Sequence, residues 1–188
     1  MHDYIAFLRG INLGRRRLKM DALGALFEQL KFKRVATFIA SGNVLFADAS
    51  ADEAALRARI EHHLRESLGY DVEVFLRGPA EVGAIAQLRP FAASGFEAAA
   101  HSVFAALLQQ PLAPALRRRL IACGTPVDHL HVEGREIYWL CQIRSSDSTL
   151  WTSPAVKALH LPSMTMRNMN TLVRLQALCA RGGGLNPA

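Results

Sequence analysis

The sequence lacks the cysteine pairs that would mark a disulfide framework or a zinc site. Its three cysteines, Cys123, Cys141 and Cys179, are widely spaced and form no CxxC pair. Isolated cysteines usually pack as small apolar residues, so we expect reduced thiols and a cytoplasmic protein. The GxGxxG and GxxxxGK[ST] fingerprints are also missing, as are a serine-nucleophile elbow, a Cys and His arrangement and an obvious carboxylate pair. The sequence therefore identifies neither a reaction nor a cofactor.

Long apolar runs and aromatic residues are scarce as well. The longest apolar runs fall well short of the roughly 20 residues that a membrane span needs, and no basic region precedes an apolar core, so we expect no membrane contact and no secretory signal. Aromatic residues make up 7% of the chain, and residues 42–46 match the RNP pattern of RNA-binding sheets poorly. His129 and His131 could share a strand face, but no third ligand lies near them, so no metal is predicted.

Positive charge is present and is concentrated near the two ends. The 188-residue chain is 51% hydrophobic and carries a net charge of +6. Residues 1–20 and residues 143–188 each contain five basic residues against one acidic residue. This distribution favours an anionic partner at both segments. The alternative is that these basic side chains are simply exposed to solvent on two surfaces and bind no partner.

The hydrophobic periodicity predicts an α+β fold of two halves. Residues 1–77 and residues 101–188 each read βαββαβ, which is the ferredoxin-like order, and a last helix follows the second half. A helix and a connector, residues 78–100, are predicted to join the two ferredoxin-like halves. Ser50 and Glu53 match a capping box that would begin the second helix.

Three polar motifs interrupt this apolar pattern. They are LRGINLG at residues 8–14, SGN at residues 41–43 and TMRNMNT at residues 165–171. In a ferredoxin-like half, the loop after the first strand and the hairpin between the second and third strands lie at the same sheet edge. The first two motifs should therefore be neighbours, while the third completes their site or forms a second one.

These motifs have the residue types of an anion site. Arginine offers a bidentate donor fork, glycine lets backbone N–H groups approach a ligand, and asparagine and serine both donate and accept hydrogen bonds. The alternative is that the polar side chains only make turns, internal ion pairs and helix caps. The predicted ligand-binding residues are Arg9, Gly10, Asn12, Lys19, Ser41, Gly42, Asn43, Arg167, Asn168, Asn170 and Thr171.

Together the three motifs resemble the bacterial family called domain of unknown function 1697, over essentially the whole chain. The resemblance implies a compact cytoplasmic α+β protein of two ferredoxin-like halves and carries no assigned activity. Three positions depart from the family pattern. Arg15 and Lys31 stand where glycine is common, and Met169 stands where tryptophan is common.

The sequence favours binding of a small anionic ligand at the edge formed by Arg9, Asn12, Ser41 and Asn43. The ligand would carry phosphate or carboxylate and could resemble a nucleotide. One alternative is an enzyme that acts on such a metabolite. The others are nucleic-acid binding driven by charge, which would depend steeply on salt, and a module that binds only protein.

Overall fold

The computed structural model describes residues 1–12, 18–39 and 42–180. These residues form two four-stranded antiparallel sheets, each accompanied by helices. The chain divides into two compact units, one of Met1–Gly83 with Arg174–Ala188 and one of Ala84–Val173. The predicted tandem of two α+β halves is confirmed. Within the described ranges, every helix is too short or too polar to span a bilayer.

The first unit contains a sheet in the order β2-β3-β1-β4. Strand β1 pairs antiparallel with both β3 and β4, so it occupies the interior of the sheet. Helices α1 and α2 follow β1 and β3 along the chain. The elements are β1 (His2–Arg9), α1 (Met20–Gln29), β2 (Lys33–Phe38), β3 (Asn43–Asp48), α2 (Glu53–Leu68) and β4 (Glu73–Arg77), followed by α3 (Pro79–Gln87).

The core of this unit lies between the helices and one sheet face. Alternate strand residues such as Leu8, Phe46 and Val74 pack with Phe27 of α1 and Ile60 of α2, and all five are almost completely buried. Helix residues at spacings of three and four present this apolar stripe to the alternating side chains of the strands.

Helix α2 begins with a different cap from the one predicted. Its N-cap is Asp52, whose Oδ1 accepts hydrogen bonds from the N–H groups of Ala54 and Ala55, both at 3.0 Å. The Ser50 hydroxyl instead accepts from the Asp52 N–H at 3.1 Å. The predicted N-cap at Ser50 is therefore wrong, because an aspartate two residues later satisfies the first turn more directly.

The second unit repeats the order of elements with a sheet arranged β6-β7-β5-β8. Strand β5 pairs antiparallel with β7 and β8. Two short 3₁₀ helices, Ala92–Ser94 and Phe96–Ala99, precede it. The elements are β5 (Ser102–Leu108), α4 (Pro114–Ile121), β6 (Asp128–Glu133), β7 (Glu136–Cys141), α5 (Pro154–Lys157) and β8 (Met164–Asn168). Helix α6 (Met169–Ala180) begins in this unit, and its residues from Arg174 onward are assigned to the first unit.

A buried carboxylate organises the core of the second unit. Asp128 Oδ1 accepts hydrogen bonds from Trp139 Nε1 and from the Ser148 hydroxyl, both at 2.8 Å. Its Oδ2 accepts from the Thr125 hydroxyl at 2.9 Å. Because three donors satisfy this carboxylate, it can lie inside an otherwise apolar cluster that includes Leu108.

Candidate functional site

The end of β1 meets the starts of β3 and β4 at one edge of the first sheet. Phe7 pairs with Asn43, and Arg9 pairs with Glu73. The Leu8 N–H donates to the Gly42 carbonyl at 2.8 Å. The first two polar motifs are thus neighbours, and we call residues 9–12 with Gly42 and Asn43 the β1 edge.

Arg9 and Lys19 supply the exposed charge around the β1 edge. Arg9 forms an ion pair with Glu73, yet 51% of its side-chain surface and 36% of that of Glu73 remain accessible. Lys19 is exposed and immediately precedes α1. An exposed ion pair contributes only about 0–1 kcal/mol, so an incoming anion can compete for the Arg9 guanidinium.

The asparagine of the first motif makes an internal bond. Asn12 Oδ1 accepts a hydrogen bond from the Leu18 N–H at 2.7 Å. The Tyr70 hydroxyl donates to the neighbouring Ile11 carbonyl at 3.2 Å. These bonds fix the chain on both sides of residues 13–17, which lie outside the described residues and include the predicted basic residues Arg15–Arg17.

The second motif is held in the same way. Asn43 is completely buried, and its Nδ2 donates to the Phe38 carbonyl at 3.0 Å across the hairpin. Gly42 has a φ of +74°, and a Cβ there would lie 2.7 Å from Ile11 Cγ2. The hairpin therefore packs directly under the first loop. Ser41 lies outside the described residues.

The arginine of the third motif points into the second unit. Arg167 belongs to β8, opposite Ala105 of β5, and is only 7% exposed. Its Nη1 donates to the Thr165 hydroxyl at 2.8 Å and to the Met166 carbonyl at 2.9 Å. Burial lowers the pKa of Arg167 to about 10, so the guanidinium remains charged at neutral pH.

The asparagines of the third motif lie at the start of α6. Asn168 Oδ1 accepts from the Asn170 N–H at 2.9 Å, while the Asn170 side chain is exposed and Thr171 is half-buried. Both asparagines line a cavity of about 410 Å³ within the second unit. The polar residues of its lining are Arg89, Glu97, His101, Ser102, Asn168 and Asn170.

The family model described as "Protein of unknown function (DUF1697)" matches residues 1–138. The chain belongs to this family. The match confirms the resemblance that the three motifs suggested, and it covers the first two of them. A comparison with curated proteins finds no match.

A solved structure shares the fold of this DUF1697 protein. It is the conserved bacterial protein SP0830 from Streptococcus pneumoniae, with a TM-score of 0.72 and 18% sequence identity. The alignment covers 96% of this chain and 99% of that chain. At this identity the likeness concerns the fold alone.

The sequence patterns did not predict the charged residues of the cavity in the second unit. The sequence pattern predicts a helix and a connector over residues 78–100. This segment contains Arg89 and Glu97, and His101 follows it directly. Arg89 and Glu97 are eight residues apart, and no helix or strand pattern between them predicts that their side chains are in contact. Among the described residues, no group of three or more His, Cys, Asp or Glu side chains could hold a metal ion.

Proposed function

We propose that this protein binds a small anionic ligand, one that bears phosphate or carboxylate, at the β1 edge. The observation that carries this proposal is the position of two exposed cations, Arg9 and Lys19, at the two ends of one loop. Residues 10–19 contain four basic residues and no acidic residue. Such a concentration of one sign of charge raises the local concentration of anions and speeds their association.

Arg9 is the proposed direct ligand contact. Its planar fork can donate two parallel hydrogen bonds to a phosphate or carboxylate, which lysine cannot do. The partly exposed pair with Glu73 uses Arg9 Nη1 and contributes only about 0–1 kcal/mol, so a ligand that accepts two parallel hydrogen bonds from the guanidinium can replace it. The ligand would thus exchange with Glu73 for the guanidinium, while Lys19 and Arg15–Arg17 attract it.

The amide residues of the β1 edge have a different proposed role. Asn12 and Asn43 are engaged in internal hydrogen bonds at 2.7 Å and 3.0 Å, and Asn43 is fully buried. We therefore assign them the positioning of the two loops rather than contact with the ligand. Gly10 and Gly42 have φ angles of +85° and +74°, which support the same close packing of the two loops.

The experiment is isothermal titration with inorganic phosphate, a nucleoside monophosphate and a dicarboxylate. We expect Arg9→Gln to weaken binding about tenfold or more, because it removes one charge-assisted contact. The matched control is Arg118→Gln, an exposed arginine of α4. The free energy of unfolding of both variants should lie within about 0.5 kcal/mol of the wild-type value, as is usual for substitutions of surface residues.

Two results would contradict the proposal. The first is the absence of binding by every anion of the panel at low salt. The second is equal weakening by Arg9→Gln and Arg118→Gln, which would indicate non-specific attraction. Binding to short oligonucleotides of any sequence, with affinity that falls steeply with salt, would instead indicate a nucleic-acid partner.

We propose further that each half is a ferredoxin-like unit. Support comes from the sheet orders β2-β3-β1-β4 and β6-β7-β5-β8, combined with the element order βαββαβ in each half. The proposed divisions are residues 1–77, 78–100 and 101–188. The three free cysteines support a proposed location in the reducing cytoplasm.

A further inference from the structure

The cavity of the second unit has the size and mixed lining of a small-molecule site. Its volume of about 410 Å³ falls in the range of about 300–1,000 Å³ that is usual for ligand pockets. Its polar side chains come from the connector, from the start of β5, from the end of β8 and from the start of α6. Apolar side chains of Leu88, Val103 and Val173 complete the lining.

An ion pair of unequal exposure forms part of this cavity. Arg89 Nε donates to Glu97 Oε1 at 3.1 Å, and Arg89 Nη2 donates to Glu97 Oε2. The Arg89 side chain is 68% exposed, whereas that of Glu97 is only 20% exposed. The Arg89 side chain therefore lies at the rim of the cavity, while the Glu97 side chain lies in its wall.

This asymmetry decides which ligand the cavity fits. A simple anion that took the Arg89 guanidinium would leave the mostly buried Glu97 carboxylate without its counter-charge and would be repelled by it. A molecule that carries one positive and one negative charge can pair with Glu97 and Arg89 at the same time. Its ammonium would bind Glu97, and its carboxylate would bind Arg89.

We propose that the cavity binds a small zwitterion, namely an α-amino acid with an apolar side chain. The ammonium and carboxylate of an α-amino acid are separated by one carbon, which suits the adjacent carboxylate and guanidinium of the ion pair. Asn170 and Ser102 offer further hydrogen bonds to the carboxylate. The apolar side chain would lie against Leu88, Val103 and Val173.

The first experiment is calorimetric titration of the full chain with leucine, N-acetyl-leucine, leucinamide and isovalerate. We expect leucine to bind, and each of the other three, which lacks one of its two charges, to bind about tenfold or more weakly. No binding of leucine, valine or phenylalanine would overturn the proposal. Equal binding of leucine and isovalerate that persists in Arg9→Gln, where the β1 edge no longer holds a carboxylate, would also overturn it, because it would mark a simple carboxylate site.

Variants then assign the two charges. Glu97→Gln should weaken leucine binding about tenfold and abolish the preference for leucine over N-acetyl-leucine, and Arg89→Gln should abolish the preference for leucine over leucinamide. The matched controls, Glu66→Gln and Arg118→Gln, change exposed side chains outside the lining and should leave binding unchanged. Unaltered preferences in both cavity variants would contradict the assignment.

A third variant tests the cavity without changing the ion pair. Asn170 is exposed and lines the cavity, so Asn170→Trp should obstruct it and reduce leucine binding about tenfold or more. Retention of full affinity in this variant would place the ligand elsewhere. Arg9→Gln should leave leucine binding unchanged, so the outcome for this cavity is independent of the outcome for the β1 edge.

Discussion

At the scale of the residue, both the backbone conformation and the neighbouring side chains require glycine at position 42. Its φ of +74° is a left-handed conformation, and an added Cβ would meet Ile11 Cγ2 at 2.7 Å and Leu8 Cβ at 3.3 Å. Gly69 has the same φ with nothing within 4 Å. A comparison of substitutions at Gly42 and Gly69 therefore separates the free-energy cost of the left-handed backbone from the cost of the steric clash.

We expect Gly42→Ala to lower the free energy of unfolding more than Gly69→Ala does. Both changes carry the left-handed penalty of about 1–2 kcal/mol, and overpacking against Ile11 adds about 1–3 kcal/mol in Gly42→Ala alone. Urea unfolding of the two variants measures the difference. Equal losses would mean that the hairpin can move away from Ile11 at little cost.

The residues of the β1 edge also show what a motif can predict. The proximity of the first two motifs follows from the order of elements, because a third strand that pairs antiparallel with the first begins beside the end of the first strand. The direction of each side chain does not follow from it. Asparagine serves ligands and turns with the same amide group, so only the observed bonds of Asn12 and Asn43 separate the two uses.

At the scale of the element, the start of α2 shows how adjacent capping residues compete. Ser50 with Glu53 fits the capping-box pattern, but Asp52 also fits the cap position and makes the bonds to the first turn. We expect Asp52→Ala to cost about 1 kcal/mol and Ser50→Ala distinctly less, since the Ser50 hydroxyl accepts from the Asp52 N–H and not from the first turn of α2. Thermal unfolding of both variants measures this, and a larger loss in Ser50→Ala would contradict the assignment of the cap.

The connector before β5 is an element that periodicity could not predict. Two 3₁₀ helices, Ala92–Ser94 and Phe96–Ala99, turn the chain so that Glu97 returns to Arg89. Short 3₁₀ turns carry no hydrophobic repeat that a sequence pattern could detect. The cavity was missed for this reason, although two of its residues, Asn168 and Asn170, were predicted as ligand contacts.

At the scale of the whole molecule, the two-half α+β organisation was predictable because each strand and helix carries its own local period. Residues 44–47 of β3 and 105–108 of β5 are short continuous apolar runs that are buried, whereas α2 buries one stripe at helical spacing. Internal polar bonds were not predictable, because they depend on residues far apart in the chain. Asp128 and Trp139 are an example, since their contact requires the register of β6 against β7.

The stability of the whole molecule should fall in alkaline solution. Burial raises the pKa of the Cys141 thiol above its ordinary value, and burial together with Asp3 raises that of Cys179. In the unfolded chain these thiols ionise near about pH 8.5, whereas the folded protein keeps them protonated to higher pH. Their contribution is therefore complete below about pH 8 and is lost as the pH rises through the unfolded and then the folded pKa.

We expect the urea midpoint to decrease as the pH rises from about 8 to about 9.5, with a shallower decrease in the double variant Cys141→Ala/Cys179→Ala. The double variant should be less stable at neutral pH, because Cys141 is completely buried. The slope of stability against pH, rather than its absolute value, is the measurement that isolates the thiols. Parallel slopes in wild type and double variant would show that other groups cause the alkaline loss.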